Sequence, residues 1–279
     1  MCIRDRFDTG ASVGLTSPGY PCYRQILKAL GCNSRLIDIG TGTGWMPEIP
    51  DLERHGKLDG LLIASPANPT GTLLTPQRLS DIARACEARG TAFISDEIYH
   101  GLTYGRPAAT ALQFSADAIV INSFSKYFSM TGWRIGWMIV PERFVRVVER
   151  LAQNLYIAAP AISQVAAIGA FDGIDELERN RDVYAANREL LLNALPEAGF
   201  TSFAPADGAF YLYADVSALT DDSGKLARRI LEEAGIAVTP GYDFDAARGG
   251  QYLRFSYSGT TADMAEAARR LKDWRARHA

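Results

Sequence analysis

The chain has 279 residues, 47% of them hydrophobic, and a formal net charge of −3. That is enough to bury a sizeable core as one large domain or two moderate ones, and the mild acidity offers none of the basic surface that nucleic-acid binding uses. Four cysteines (Cys2, Cys22, Cys32 and Cys86) without CxxC spacing or a paired-histidine pattern support neither a metal site nor a redox motif, and no apolar run approaches the roughly 20 residues of a membrane span.

The start, MCIRDRFD, is not a signal peptide, so a soluble cytoplasmic protein with reduced thiols is expected. It leads into a turn-like DTGAS with no strand or helix pattern of its own. GTGTG at 40–44 lacks the GxGxxG spacing and reads as a flexible turn. Beyond it, short apolar runs alternate with helical patterns, the signature of an α/β domain with a mostly parallel sheet. Candidate strands are 60–65 (GLLIAS), 91–95 (TAFIS), 118–122 (AIVIN) and 134–140 (RIGWMIV). Between the first two, Thr75 caps a helix and Pro76 suits its first turn. Leu79, Ile82, Ala83 and Cys86 form its stripe, and Gly90 ends it. A second helix follows Pro141, with Phe144, Val147, Val148, Leu151 and Leu155 on its buried side. Residues 175–195 read as a long, charged helix connecting two lobes rather than as a core element. Strand-like pieces at 209–214 (AFYLYA) and 252–256 (YLRFS), flanked by helices around 226–234 and 263–275, predict a smaller α+β lobe. The expected division is 1–182 for the large domain and 183–279 for the small one.

In open α/β sheets the chemistry lies beyond the carboxyl ends of the strands. There the chain places Asn68 within PANPTG, Asp96 and Tyr99 within DEIY, and Ser123, Ser125 and Lys126 within SFSK. Singly, each has an ordinary explanation: a turn, a helix cap, loop hydroxyls, a lysine snorkelling over Phe124 or Tyr127. His100, alone in its loop, is assigned no role. Together they bring an amide, a carboxylate with a phenol, and hydroxyls with an amine to one sheet edge, where a desolvated amine becomes a nucleophile.

PxNPxG at 66–71, Asp-x-x-Tyr at Asp96 and Tyr99, SxSK at 123–126 and Gly132-Trp133-Arg134 together resemble the class I/II aminotransferases, pyridoxal-phosphate enzymes of fold type I. SPGYPCY at 17–23 and YLRFSY at 252–257 resemble further blocks in the same order. The resemblance implies that Lys126 carries pyridoxal phosphate as a Schiff base and moves the proton to and from the substrate's α-carbon. It implies that Asp96 holds the proton on the ring nitrogen, and that Asn68 and Tyr99 donate to the ring's phenolate oxygen. Tyr20 would stack on the ring, while Ser123, Ser125 and Arg134 would hold the phosphate. Arg254, helped by Asn68, would clamp the substrate α-carboxylate. Cis bonds are expected at Asn68-Pro69 and Ser17-Pro18.

The same comparison implies a fragment that starts late, without an N-terminal segment and phosphate loop, with residues 1–6 foreign and a sheet edge exposed. A homodimer is expected for the full-length protein. Residues 151–164 (LAQNLYIAAPAISQ) hold no Lys or Arg, which favours an apolar or aromatic amino acid as donor to a 2-oxo acid by a ping-pong route. The alternatives are a pyridoxal-phosphate carbon–sulfur lyase and an aminotransferase-like sensor domain of a transcriptional regulator.

Overall fold

The computed structural model describes residues 7–278, so Cys2 and the expectation about residues 1–6 lie outside them. The predicted apolar runs become strands displaced by a residue or two. Strands β1 (Ser12–Ser17), β2 (Asn33–Asp38), β3 (Gly60–Ala64), β4 (Ala92–Asp96), β5 (Ile119–Ser123) and β6 (Gly136–Ile139) form a six-stranded sheet in the order β2-β1-β3-β4-β5-β6. Every neighbouring pair is parallel except β5 with β6. Helices α1 (Pro21–Ala29), α2 (Ile49–Arg54) and α3 (Pro76–Arg89) make the first three crossovers.

The pleat sends alternate residues to opposite faces, so both must be covered by apolar groups. Leu61, Ile63, Phe93 and Val120 join Leu79 and Ile82 of α3 on one face. Leu62, Ile94 and Ile119 join Leu27 of α1 on the other. Helix α3 forms as its sequence dictates: Thr75 Oγ1 accepts the Arg78 N–H at 3.1 Å, and Gly90 closes the helix at φ +64°.

The first two strands were not expected. β1 lies inside the sheet between β2 and β3, with Val13 and Leu15 buried. Its signal was hidden by Gly14, where a Cβ would sit 2.9 Å from a methyl carbon of Leu61. β2 is an edge strand, largely exposed, and therefore lacks an apolar alternation. GTGTG forms a turn, a short 3₁₀ segment at Thr41–Thr43 that leads into the buried Trp45.

Helix α4 (Glu142–Leu155) corrects a second expectation. The apolar stripe is present, yet none of its residues is buried, and Val147 and Leu155 are 41% and 53% exposed. Amphipathicity fixes which face is apolar, not what covers it. Trp137 and Ile139 on the edge strand β6 and Ile162, Val165 and Ile168 on α5 (Ala161–Gly169) are likewise exposed.

Helix α6 (Ile174–Ala194) follows, then β7 (Ser202–Phe203), β8 (Tyr211–Asp215), α7 (Ser223–Ala234), β9 (Thr239–Pro240), β10 (Tyr252–Ser256) and α8 (Thr261–Ala276). The strands make a four-stranded antiparallel sheet in the order β7-β8-β10-β9. The long helix is more than a connector. Leu191, with Leu195 just beyond its end, packs into the core of this second sheet against Leu212, Leu253, Phe255 and Trp274. Among the described residues no helix is long and apolar enough to cross a membrane.

Candidate active site

The carboxyl ends of β3, β4 and β5 meet the small sheet around a cavity of about 410 Å³. Its lining includes Tyr20, Tyr23, Asn68, Asp96, Tyr99, Ser125, Lys126, Arg134, Tyr211 and Arg254. The chain after β3 reaches it through cis bonds at Ser65-Pro66 and Asn68-Pro69, and that after β1 through Ser17-Pro18. Two of these were expected and Ser65-Pro66 was not.

Asp96, the last residue of β4, is buried. One carboxylate oxygen accepts the Ile98 N–H at 3.1 Å and the other the Tyr23 hydroxyl. Burial nevertheless pushes its carboxyl above the ordinary range, against the opposing effects of these two donors and of Lys126. A cation brought against Asp96 would favour its ionised form. Lys126 follows β5, its ammonium nitrogen 5.6 Å from the ring centres of both Tyr99 and Phe210. Burial, then Arg254 and Arg134, lower its pKa, while Asp96 acts in the opposite direction. The acid and the amine thus share one cavity and sense each other's charge.

Arg134 sits at φ +53°, the left-handed region that non-glycine residues seldom adopt, and donates to the Thr131 carbonyl at 2.7 Å. Ser125 lines the cavity. Ser123 does not; its Oγ lies 2.9 Å from Ser125 Oγ and accepts the Ser125 N–H at 3.0 Å, bracing the loop from behind. The short SxSK spacing brings the two hydroxyls together, but only the fold shows which one faces inward.

Arg254 comes from β10. It donates to Asn68 Oδ1 at 2.8 Å and to Thr239 Oγ1 at 3.3 Å, and its guanidinium carbon lies 4.2 Å from the Tyr211 ring centre and 4.8 Å from that of Phe244. Its Nε is buried without a hydrogen-bond partner among the described residues. A rigid fork held in place by stacking, with an unused donor, suits a carboxylate. Arg254→Gln should raise KM for the amino acid about 10- to 100-fold, the loss of one or two charge-assisted hydrogen bonds. Initial-rate measurements would check this, and an unchanged KM would remove Arg254 from the substrate site.

Two phenols of the lining, Tyr23 and Tyr211, were missed. Tyr23 stood within SPGYPCY, three residues after Tyr20 on the first turn of a helix, a spacing that could have flagged it. Burial, followed by the charge of Asp96, raises its phenol well above the usual range, so it serves Asp96 as a donor. Tyr211 lay in AFYLYA, where it reads as a core strand residue; its hydroxyl is 3.0 Å from that of Tyr99. His100 faces the buried Glu97 at 3.4 Å, and Glu97 also accepts from Ser95 and from the Ala111 N–H. That group braces the loop after β4 outside the cavity.

A mostly parallel sheet that delivers a lysine, a buried acid, a phenol and an arginine to one such cavity is the arrangement of pyridoxal-phosphate enzymes of fold type I. The donor set fits that cofactor: an amine for its aldehyde, an unbalanced buried carboxylate for a protonated ring nitrogen, a hydroxyl and a guanidinium for its phosphate. The chain belongs to the class I and II aminotransferases, whose family model matches residues 2–271. It is 48% identical over 273 residues to a valine–pyruvate aminotransferase of Mycobacterium tuberculosis, covering 96% of this chain and 70% of that protein. It is 32% identical over 274 residues to a (5-formylfuran-3-yl)methyl phosphate transaminase of Methanocaldococcus jannaschii, with the same two coverages. The crystal structure of an aminotransferase from Mycobacterium tuberculosis superposes with a TM-score of 0.97 at 46% identity, over 99% of this chain and 73% of that one. The chain is thus an aminotransferase that uses pyridoxal phosphate.

Proposed function

We propose that the enzyme moves an amino group between an L-amino acid with an apolar side chain, aliphatic or aromatic, and a 2-oxo acid, in two half-reactions at the cavity above. The observation that carries this reading is the set of cations lining the cavity, which among the described residues is Lys126, Arg134 and Arg254. Lys126 is the covalent anchor, Arg134 with Ser125 the phosphate clamp and Arg254 the α-carboxylate clamp. None is left to pair with a carboxylate on the substrate's side chain. The name of the 48%-identical relative, a valine–pyruvate aminotransferase, supports the same class.

When bound, pyridoxal phosphate supplies an electron-withdrawing ring that stabilises negative charge at the substrate α-carbon. The chain's own residues do the rest. Asp96, steadied by Tyr23, would hold the proton at the ring nitrogen. Asn68 Oδ1 is occupied by Arg254, so the donor end of the amide is the one available, with Tyr99, to an oxygen of the ring. Tyr20 would cover the ring face. The Lys126 amine, whose pKa burial and two arginines lower, would take the proton from the α-carbon and return one on the other side of the transfer. We place the boundary between lobes at 182–183, within α6, because Leu190 and Leu191 in its second half pack with the small sheet.

Valine supplied without a 2-oxo acid should yield one equivalent of oxo acid per site and stop. Continued turnover with release of ammonia would refute the transferase reading, and a preference for aspartate would refute the apolar donor. A homodimer belongs to the same proposal, supported by exposed Ile157, Ile162, Val165 and Ile168; a sedimentation mass near 30.4 kDa would exclude it.

A further inference from the structure

Two phenols from different lobes meet behind the lysine. Tyr99 comes from the loop after β4 and Tyr211 from β8, both are buried, and their hydroxyl oxygens are 3.0 Å apart. Tyr211 is held on its ring face by Arg254 and packs against the tilted ring of Phe210, with ring centres 4.7 Å apart. Both tyrosines line the cavity.

Each phenol carries one proton, so the pair can be ordered in only two ways. If Tyr99 donates to Tyr211, it has no proton left for an acceptor in the cavity. If Tyr211 donates to Tyr99, the Tyr99 proton is released for that acceptor, and accepting a hydrogen bond makes Tyr99 a stronger donor. We propose that Tyr211 is a positioning residue that donates to Tyr99, directing the Tyr99 hydroxyl at the anionic ring oxygen of the bound cofactor. This rests on the placement of that oxygen beside Tyr99 in the function proposed above.

The relay spans the two lobes. Tyr211 shares its sheet with the substrate-clamping strand: β8 pairs with β10, where Tyr211 lies opposite Ser256 and Tyr213 opposite Arg254. Any shift of Arg254 on seating a carboxylate therefore reaches Tyr211 through their stacked contact. The charged and titratable groups that face the pair are Asp96 from β4, Lys126 from the loop after β5, Arg254 from β10, Tyr20 just before α1 and Tyr23 on it, and Tyr257 just past β10.

The test is the pH midpoint of the visible absorbance of the protein loaded with pyridoxal phosphate, a readout separate from turnover. Tyr99→Phe, which removes a hydrogen bond to an anion, should raise the midpoint by about one to two pH units. Tyr211→Phe should raise it by roughly a third of that, as a change in bond strength rather than its loss. The double variant should match Tyr99→Phe alone, because Tyr211 acts through Tyr99. Tyr213→Phe, which removes a buried hydroxyl that has no hydrogen-bond partner among the described residues from the same strand, should leave the midpoint in place. A Tyr99→Phe shift without a Tyr211→Phe shift overturns the relay while sparing the site assignment, and so do additive shifts, which would mean direct contact. No shift with Tyr99→Phe removes the premise and the relay together.

Discussion

Lys126→Ala should lower amino transfer by about 10⁴-fold or more, because on the roles proposed above one change removes both the covalent anchor and a general base worth up to about 10⁴ by itself. The protein should still fold. Lys126 is desolvated beside Arg254 and Arg134, and its pKa falls below the ordinary 10.5. A lowered lysine pKa means that the unfolded chain binds the proton more tightly. The charged amine therefore costs stability at neutral pH, and that cost disappears as pH rises toward 10.5. Thermal melting of the cofactor-free variant should accordingly show no loss at neutral pH beyond the packing of the side chain. Borohydride treatment of the native protein with pyridoxal phosphate should fix the label on the peptide that contains Lys126. Label on another lysine would overturn the assignment.

Asp96→Ala lowers turnover by about 10²- to 10³-fold, the usual loss when one preorganised charge is withdrawn from a reacting system. Asp96→Asn should do nearly as much while keeping the shape, since an amide has no charge to hold a ring proton. Stability should move the other way. Burial raises the folded-state pKa of Asp96 above the ordinary 3.8, so the native state binds this proton more tightly than the unfolded chain. The stability linked to it is fully present below that ordinary value and is lost as pH rises through the folded value. At neutral pH the cofactor-free protein thus carries a buried carboxylate at a cost, and the asparagine variant should melt at the same temperature or higher. A protonated ring nitrogen opposite Asp96 would offset the cost, so added pyridoxal phosphate should stabilise the native protein more than the variant. Paired melting curves with and without cofactor would check this, and near-normal turnover of either variant would refute the role.

Wherever one segment carries its own signal, the reading from sequence was close. Apolar runs at 60–65, 91–95 and 118–122 became β3, β4 and β5, and Thr75 and Gly90 bound the helix they were expected to bound. Polar residues just past those strands reached a common edge because parallel strands end on the same side. Errors arose where a signal depends on a neighbour. Gly14 interrupts the apolar pattern of β1 although its neighbours Val13 and Leu15 are buried, and the stripe of α4 reads as buried although the described residues leave it open.

Residue types, their order and the family itself were therefore set by local patterns along the chain, since strand period, helix caps and motif spacing act over a few residues. Tertiary structure alone decided how the site is wired. The bonds from Tyr23 to Asp96, between Tyr99 and Tyr211, and from Arg254 to Asn68 join residues 73, 112 and 186 positions apart. Such partners are chosen by the packing of two sheets around one cavity, and no periodicity within either segment records the choice.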